Sequence, residues 1–280
     1  VPDQLDEVLL ETNLPLPLFK KGKVRDIYDA GNRLLIVSTD RISAFDAVLP
    51  NGIPHKGEAL NRLSVYWFNQ TKHIVQNHII DIVDPRTVLV RKTKVIPIEF
   101  VVRGYIYGSL WEKYEKGETA ELRKGLKKAE RLPAPILTPT TKAEVGHDLE
   151  LSKTQVENKI GKDVADEIEE ICLKIYQQAA RTAELSGIII ADTKMEFGFL
   201  DKELVLIDEL LTPDSSRFWS KEKYKVGSDQ FSFDKQYVRD YLEGLKWNKK
   251  PPAPKLPSNI VAETSKKYIE AYQRLTGRKF

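Results

Sequence analysis

The chain has 280 residues, 44 of them basic and 41 acidic, and 41% are hydrophobic. This length suits one large domain or two closely packed lobes with a sizeable core; the composition excludes a disordered chain, and the net charge of +3 argues against a protein that coats a polyanion, leaving room for a local basic pocket. The single cysteine excludes an internal disulfide and fits a reducing compartment. No apolar run reaches the ~20 residues that span a bilayer and no signal-like pattern opens the chain, so the expected setting is the cytoplasm, away from membranes.

In chain order, residues 4–11 read as a short helix, followed by the proline-marked stretch Leu14-Pro15-Leu16-Pro17. Residues 23–29 alternate as a strand, Gly31 and Asn32 supply a tight turn, and residues 33–39 read as a buried strand pairing with the first. Residues 58–70 form an amphipathic helix with Leu60, Leu63, Trp67 and Phe68 on its apolar side. Strands follow at 87–94 and 98–103, then a helical segment at 111–114 and a charged loop from Gly117. The three prolines of residues 133–139 exclude regular helix.

Lys153 opens a helix-loop-helix region whose long helix covers residues 164–186 and ends at Gly187. Cys172 stands there among Ile168, Ile171 and Ile175, a stripe expected in the core. Residues 188–200 and 204–210 read as a hairpin. Helices at 237–245 and 260–277 are joined by an extended connector with Pro251, Pro252, Pro254 and Pro257. Strands come first and a mixture follows, without internal repeats, which predicts an α+β or mixed architecture and not a βαβ series.

The most informative stretch is Asp192-Thr193-Lys194-Met195-Glu196-Phe197-Gly198. In a strand, Asp192, Lys194 and Glu196 share one face. If the next turn centres on Lys202, Glu196 faces Asp208, beside Glu209, across the hairpin. Like charges there repel, and a divalent cation such as Mg²⁺, held by one or two carboxylates plus phosphates, removes the conflict. The bland alternative is a solvated strand face, but the run Ile188-Ile189-Ile190-Ala191 places the charges at the end of a buried strand.

Four further stretches carry polar groups. In Lys20-Lys21-Gly22-Lys23-Val24-Arg25-Asp26, the residues Lys21, Lys23 and Arg25 fall on one strand face and suit a triphosphate; a protected edge strand reads equally well. Ser38 to Asp46 is a polar loop after a buried strand, and otherwise a capped turn. Arg103-Gly104-Tyr105-Ile106-Tyr107-Gly108-Ser109 and Thr212-Pro213-Asp214-Ser215-Ser216-Arg217 suit anionic groups, or are ordinary turns. His55, His73, His78 and His147 do not stand at metal-ligand spacing, and neither a Walker loop nor a G-x-G-x-x-G motif occurs.

Taken in order, Gly22-Lys23-Val24-Arg25-Asp26, Ser43-Ala44-Phe45-Asp46, Val95 to Arg103 with Gly108-Ser109, Asp192 to Gly198, and Pro213 to Arg217 resemble the motifs of the phosphoribosylaminoimidazole-succinocarboxamide synthase (SAICAR synthetase) family across nearly the whole chain. One departure is Tyr107, where that family usually has a small residue.

The resemblance implies a two-lobed, ATP-grasp-like α+β fold, approximately residues 1–96 as a phosphate-clamp lobe and 97–280 as a metal- and substrate-binding lobe. It implies ATP-dependent ligation of L-aspartate to a carboxyaminoimidazole ribotide, with small molecules and no nucleic acid as partners. By the same resemblance Asp192, Lys194 and Arg217 are catalytic, and Lys21, Lys23, Arg25 and Lys194 hold ATP. Ser43, Asp46, Arg103, Ser109, Asp214, Ser215, Ser216 and Arg217 bind substrate, and Glu196 and Asp208 hold Mg²⁺. Asp192 orients either the ribotide or the incoming amine. A small-molecule kinase of related design is the alternative enzyme, and a nucleotide- or RNA-binding module is the non-enzyme one, disfavoured by the balanced charge.

Overall fold

A computed structural model describes residues 8–119, 122–142 and 149–280. The chain begins with β1 (Leu18–Lys21), β2 (Arg25–Asp29), β3 (Arg33–Ser38), the short ribbon β4 (Ser43–Ala44) and β5 (Ala47–Val48), then α1 (Lys56–Thr71), β6 (Ile79–Asp84) and β7 (Thr87–Arg91). Five of these strands make an antiparallel sheet of order β1-β2-β3-β7-β6. The expected hairpin forms: β2 and β3 pair from Arg25 opposite Ser38 to Asp29 opposite Leu34, and Gly31 turns the chain at φ 78°.

The expected helix over residues 4–11 is a correction. Residues 8–11 are not helical, and residues 4–7 lie outside the described residues. The backbone of Leu9 instead bonds Asp40: its N–H donates to Oδ2 at 2.9 Å and its carbonyl accepts the Asp40 N–H at 2.8 Å. The other carboxylate oxygen of Asp40 accepts the Gly57 N–H at 2.8 Å. That supplies a carboxylate at the first turn of α1, where unpaired N–H groups favour one. Leu60, Leu63, Trp67 and Phe68 form the buried face of α1, as their spacing predicts.

The second half holds β8 (Lys94–Tyr105), α2 (Ser109–Glu115), β9 (Arg131–Thr141), α3 (Lys153–Ile160), α4 (Lys162–Leu185), β10 (Ile188–Leu200), β11 (Glu203–Ile207), β12 (Ser216–Ser220), α5 (Gln236–Glu243) and α6 (Ser258–Thr276). A second antiparallel sheet has the order β11-β10-β8-β9, with β12 also paired to β10. The long β10 is its axis: β8 runs along one side, and β12 then β11 along the other. The prolines of residues 133–139 lie in β9, at the sheet edge, where a missing N–H breaks no inner ladder. The chain passes from one sheet to the other between Arg91 and Lys94.

The largest core cluster joins Leu63, Trp67 and Phe68 of α1, Ile168, Cys172 and Ile175 of α4, alternate residues of β8 and β10, and Tyr272 and Leu275 of α6. Cys172 is fully buried there, as its apolar stripe predicts. Each fully buried aliphatic side chain contributes roughly 1.5–3 kcal/mol; this body anchors the second sheet, while Ile36, Val88 and Val90 of the first sheet form a smaller cluster of their own, against which Val65 of α1 packs. Among the described residues no helix is long and apolar enough to cross a membrane.

Candidate active site

β10 fixes the site by alternation. Thr193, Met195 and Phe197 turn inward, Met195 and Phe197 fully buried and the Thr193 hydroxyl 2.8 Å from that of Ser216. Asp192, Lys194 and Glu196 take the other face, spaced by about 7 Å per two residues. Asp192 lies opposite Arg103 on β8 and opposite Arg217 on β12. Its Oδ2 accepts from Arg217 Nη1 and lies 3.6 Å from Arg103 Nη1. Arg103 also donates to Thr138 Oγ1 at 2.9 Å and to Ser109 Oγ at 3.2 Å. Burial lowers the Arg103 pKa, with Asp192 opposing and Arg217 adding to the shift. Burial acts likewise on Arg217, but Asp192 and Asp234 outweigh it and raise its pKa. Two guanidinium forks thus flank one carboxylate.

Farther along the same face, Lys194 Nζ donates to Glu99 Oε1 at 2.7 Å and to Glu196 Oε1 at 2.8 Å, and Lys142 donates to Glu196 Oε2. Burial alone would push Lys194 down; Glu196, Asp208 and Glu99 raise its pKa above the usual ammonium range. Burial would likewise raise Asp208, but Arg25, Lys194 and Lys142 hold its carboxyl well below the usual range. Arg25 Nη2 lies 2.7 Å from Asp208 Oδ1 and 3.4 Å from Glu209 Oε1.

The expected register is corrected by one residue. The turn has only Asp201 and Lys202 between paired Leu200 and Glu203, so Glu196 faces Ile207 and not Asp208. β11 ends at Ile207 and Asp208 turns away at φ 69°. Glu196 instead faces Glu99 on β8. The like-charge pair that the sequence placed within the hairpin sits on the other side of β10, and Lys194 bridges it.

The basic stretch before Asp26 is a second correction. It is not one strand face: the Gly22 N–H donates to the Arg25 carbonyl at 2.8 Å and closes a turn between β1 and β2. A Cβ on Gly22 would stand 2.9 Å from that carbonyl oxygen. Lys21 ends β1, exposed and 3.4 Å from Glu11. Lys23 sits in the turn, 2.5 Å from Asp46 Oδ1, and Arg25 starts β2. Asp26 is buried and takes a two-toothed bond from Arg41, Nη2 to Oδ1 at 2.7 Å and Nη1 to Oδ2 at 3.2 Å. Two of the polar loops are therefore locked to each other.

Ser43 is half-buried in β4. Asp46 lines a cleft of about 1230 Å³ together with Tyr107, Gly108, Ser109, Lys128 and Arg217. Asp214 lies deeper: it accepts from Lys56 Nζ at 2.7 Å and from the Tyr268 hydroxyl at 2.8 Å. Burial raises its pKa, but Lys56, Lys235 and Tyr268 bring it well below the usual carboxylate range. The Ser215 hydroxyl accepts from the Thr212 N–H at 3.1 Å, and Ser216 meets Thr193. These three side chains brace the segment that delivers Arg217.

Sequence reasoning missed Lys142, Glu99 and Lys56 as members of these clusters. Glu99 was legible only through the pairing of β8 with β10, and Lys56, fully buried at a helix start, leaves no periodic signal. His78 is buried and burial lowers its pKa to about 4, against the pull of Asp208. His147 lies outside the described residues. Among the described residues, no group of three or more His, Cys, Asp or Glu side chains converges as a ready-made metal cage.

The sequence and the fold have known counterparts. The sequence model for SAICAR synthetase matches residues 18–254. The phosphoribosylaminoimidazole-succinocarboxamide synthase of Desulfosudis oleivorans is 52% identical, over 98% of this chain and 100% of its own. The solved SAICAR synthase of Saccharomyces cerevisiae complexed with SAICAR superposes with a TM-score of 0.90 at 42% identity, covering 97% of this chain and 99% of that one. A SAICAR synthetase in complex with ADP superposes at 0.73 with 27% identity, covering 93% and 98%. Matched in sequence over most of its length and in fold at both sheets, the chain belongs to the SAICAR synthetase family.

Proposed function

We infer that this chain catalyses the ATP-dependent joining of L-aspartate to the carboxylate of a carboxyaminoimidazole ribotide, giving the succinocarboxamide, ADP and phosphate in purine biosynthesis. The observation that carries the reading is the single face of β10. It bears a carboxylate between two guanidiniums at Asp192 and, one and two strand repeats on, Lys194 and Glu196. A ribotide has an anionic phosphate at one end and a carboxylate at the other, and this face offers cations toward one end and mixed charge toward the other.

A carboxylate is a poor electrophile. Transfer of the γ-phosphoryl group of ATP to its oxygen forms an acyl phosphate and ADP. The aspartate amine attacks the acyl carbon, the C–O bond to phosphate breaks, and the amine proton leaves to a base. Phosphoryl transfer asks the protein mainly for alignment and charge neutralisation.

Lys23, Arg25 and Lys194 hold the ATP phosphates, with Lys21 at the outer edge. Arg103, Ser109 and Arg217 hold the ribotide phosphate, a task suited to planar forks. Ser43 and Asp46 contact ribotide or aspartate, Asp192 orients the ribotide or the amine, and Asp214, Ser215 and Ser216 support Arg217. The lobes are approximately residues 1–96 and 97–280, and the cytoplasm is the setting that the lone buried thiol fits.

Glu196 and Asp208 suit Mg²⁺ in donor chemistry: both are hard oxygen ligands, and both already sit against positive charge supplied by Lys142, Lys194 and Arg25. Bound there with the nucleotide, Mg²⁺ neutralises phosphate charge. Lys142, with a side chain 38% exposed, has room to move aside.

The test is ADP release by purified protein with Mg-ATP and the carboxylated ribotide, with and without L-aspartate, and detection of the succinocarboxamide. Aspartate-dependent ADP matched by product is expected. ADP release indifferent to aspartate would replace the ligase with a small-molecule kinase.

A further inference from the structure

Tyr107 precedes Gly108 on the cleft wall and is 6% exposed. Its ring meets Trp219 edge-on with centroids 5.0 Å apart, which fixes the ring plane. The guanidinium carbon of Arg217 lies 5.7 Å from the ring centroid, within the ~6 Å at which a cation feels an aromatic quadrupole. The Tyr107 hydroxyl donates to Asp229 Oδ1 at 3.1 Å, and the same oxygen takes Lys128 Nζ at 2.5 Å. Lys128 Nζ is itself 5.3 Å from the ring centroid.

Arg217 needs such support. Its Nη1 bonds Asp192, while Nε is buried without a hydrogen-bond partner. A guanidinium held at one nitrogen turns about that bond, and a bidentate grip on phosphate requires a fixed plane. The Gly108 backbone packs so close that a Cβ there would stand 2.5 Å from Nη2. Gly108 and the Tyr107 ring confine the fork.

We propose that Tyr107 is a positioning residue of the ligase: its ring, braced by Trp219 and tied through its hydroxyl to Asp229 and Lys128, sets the plane of the Arg217 guanidinium for the ribotide phosphate. This rests on the assignment of Arg217 to that phosphate. Tyr107 acts through Arg217, so its loss weakens ribotide capture and spares ATP.

Steady-state kinetics of Tyr107→Leu and Tyr107→Phe test this, with thermal melts to verify folding. Leucine keeps apolar bulk against Trp219 and removes the π face. It should raise the ribotide KM roughly 3- to 30-fold and leave the ATP KM within about twofold. Phenylalanine keeps the face and should restore most of the loss. An unchanged ribotide KM in the leucine variant overturns the proposal, as does a parallel rise in both KM values or a phenylalanine variant as impaired as leucine. Should the leucine chain not fold, Tyr107→Met serves in its place. A second readout needs no turnover: the Arg217 Nε–H resonance, assigned by its loss in Arg217→Lys, should shift in Tyr107→Leu as the ring current is removed. If the wild-type chain forms no succinocarboxamide, the ligase reading fails, and an unmoved resonance then separately overturns the positioning role.

Discussion

Arg25 at the start of β2 and Asp208 just beyond β11 meet at 2.7 Å, so one ion pair ties the first sheet to the second. Glu209 shares the same guanidinium at 3.4 Å. Arg25→Met should leave two adjacent carboxylates without their shared guanidinium, with only the more distant Lys194 and Lys142 still acting on Asp208. Breaking a buried pair on one side costs about 3–5 kcal/mol; with both side chains about one-fifth exposed, roughly 1–3 kcal/mol is expected after solvent screening. Urea melts give the stability loss and calorimetry with Mg-ADP gives the binding loss. A variant with unchanged nucleotide affinity would remove Arg25 from the phosphate site.

Glu196 is 2% exposed, and each of its oxygens has an ammonium partner. Glu196→Gln replaces one acceptor oxygen with an NH₂ group that faces a cation. Turnover should fall by orders of magnitude, and the fold should also lose about 1–3 kcal/mol, moderated because the Lys142 side chain can reach solvent. Comparing ADP affinity with and without Mg²⁺ isolates the metal: the variant should show little dependence on it. Retention of the full Mg²⁺ effect would mean that Glu196 is not a ligand.

Gly108 and Gly117 offer a contrast for testing the Arg217 fork. Both have positive φ, 55° and 75°. A Cβ at Gly108 meets Arg217 Nη2 at 2.5 Å, whereas at Gly117 nothing lies within 4 Å. Alanine at either position carries a backbone cost of about 1–3 kcal/mol, the larger at Gly108, whose φ 55° and ψ −135° lie outside the left-handed well open to other residues, so the KM values are compared and not the stabilities. Only Gly108→Ala should displace the guanidinium, raising the ribotide KM by about tenfold or more. Equal KM values in the two variants would show that the close approach of Gly108 has no bearing on binding.

The site face of β10 was legible because an apolar run led into strict alternation, and alternation alone assigns faces. Its neighbours were less legible. Register depends on turn length, and the two-residue turn at Asp201 and Lys202 moved Asp208 off the ladder, so Glu196 met Glu99 from a strand far earlier in the chain. The turn closed by the Gly22 N–H, which a Cβ would crowd, broke the expected alignment of Lys21, Lys23 and Arg25. The N-terminal segment had a helical pattern, yet residues 8–11 are drawn out by bonds to Asp40, a partner invisible to local periodicity. The long helices, by contrast, carry their own signal: α4 buries Ile168, Cys172 and Ile175 on the face that their spacing predicts.

Asp234 links Arg217 to the acid stability of the fold. Its carboxyl is buried and accepts the Phe218 N–H at 2.8 Å on one oxygen and the Gln236 N–H at 2.7 Å on the other. Burial outweighs these bonds and the nearby Arg217, pushing its pKa up to about 6 from an ordinary value of 3.8. The folded chain therefore binds this proton more tightly than the unfolded chain. The associated stability is fully present below about pH 3.8 and is lost as pH rises through about 6. Asp234→Asn has no such titration but still sacrifices one of the two N–H bonds. The wild-type advantage over the variant should thus be largest near pH 4 and shrink toward pH 7, by a total on the order of 3 kcal/mol. Denaturant melts of both proteins at pH 4, 5, 6 and 7 read the difference directly. Curves that stay parallel would place the Asp234 pKa near its unfolded value, with the two N–H bonds and Arg217 offsetting its burial.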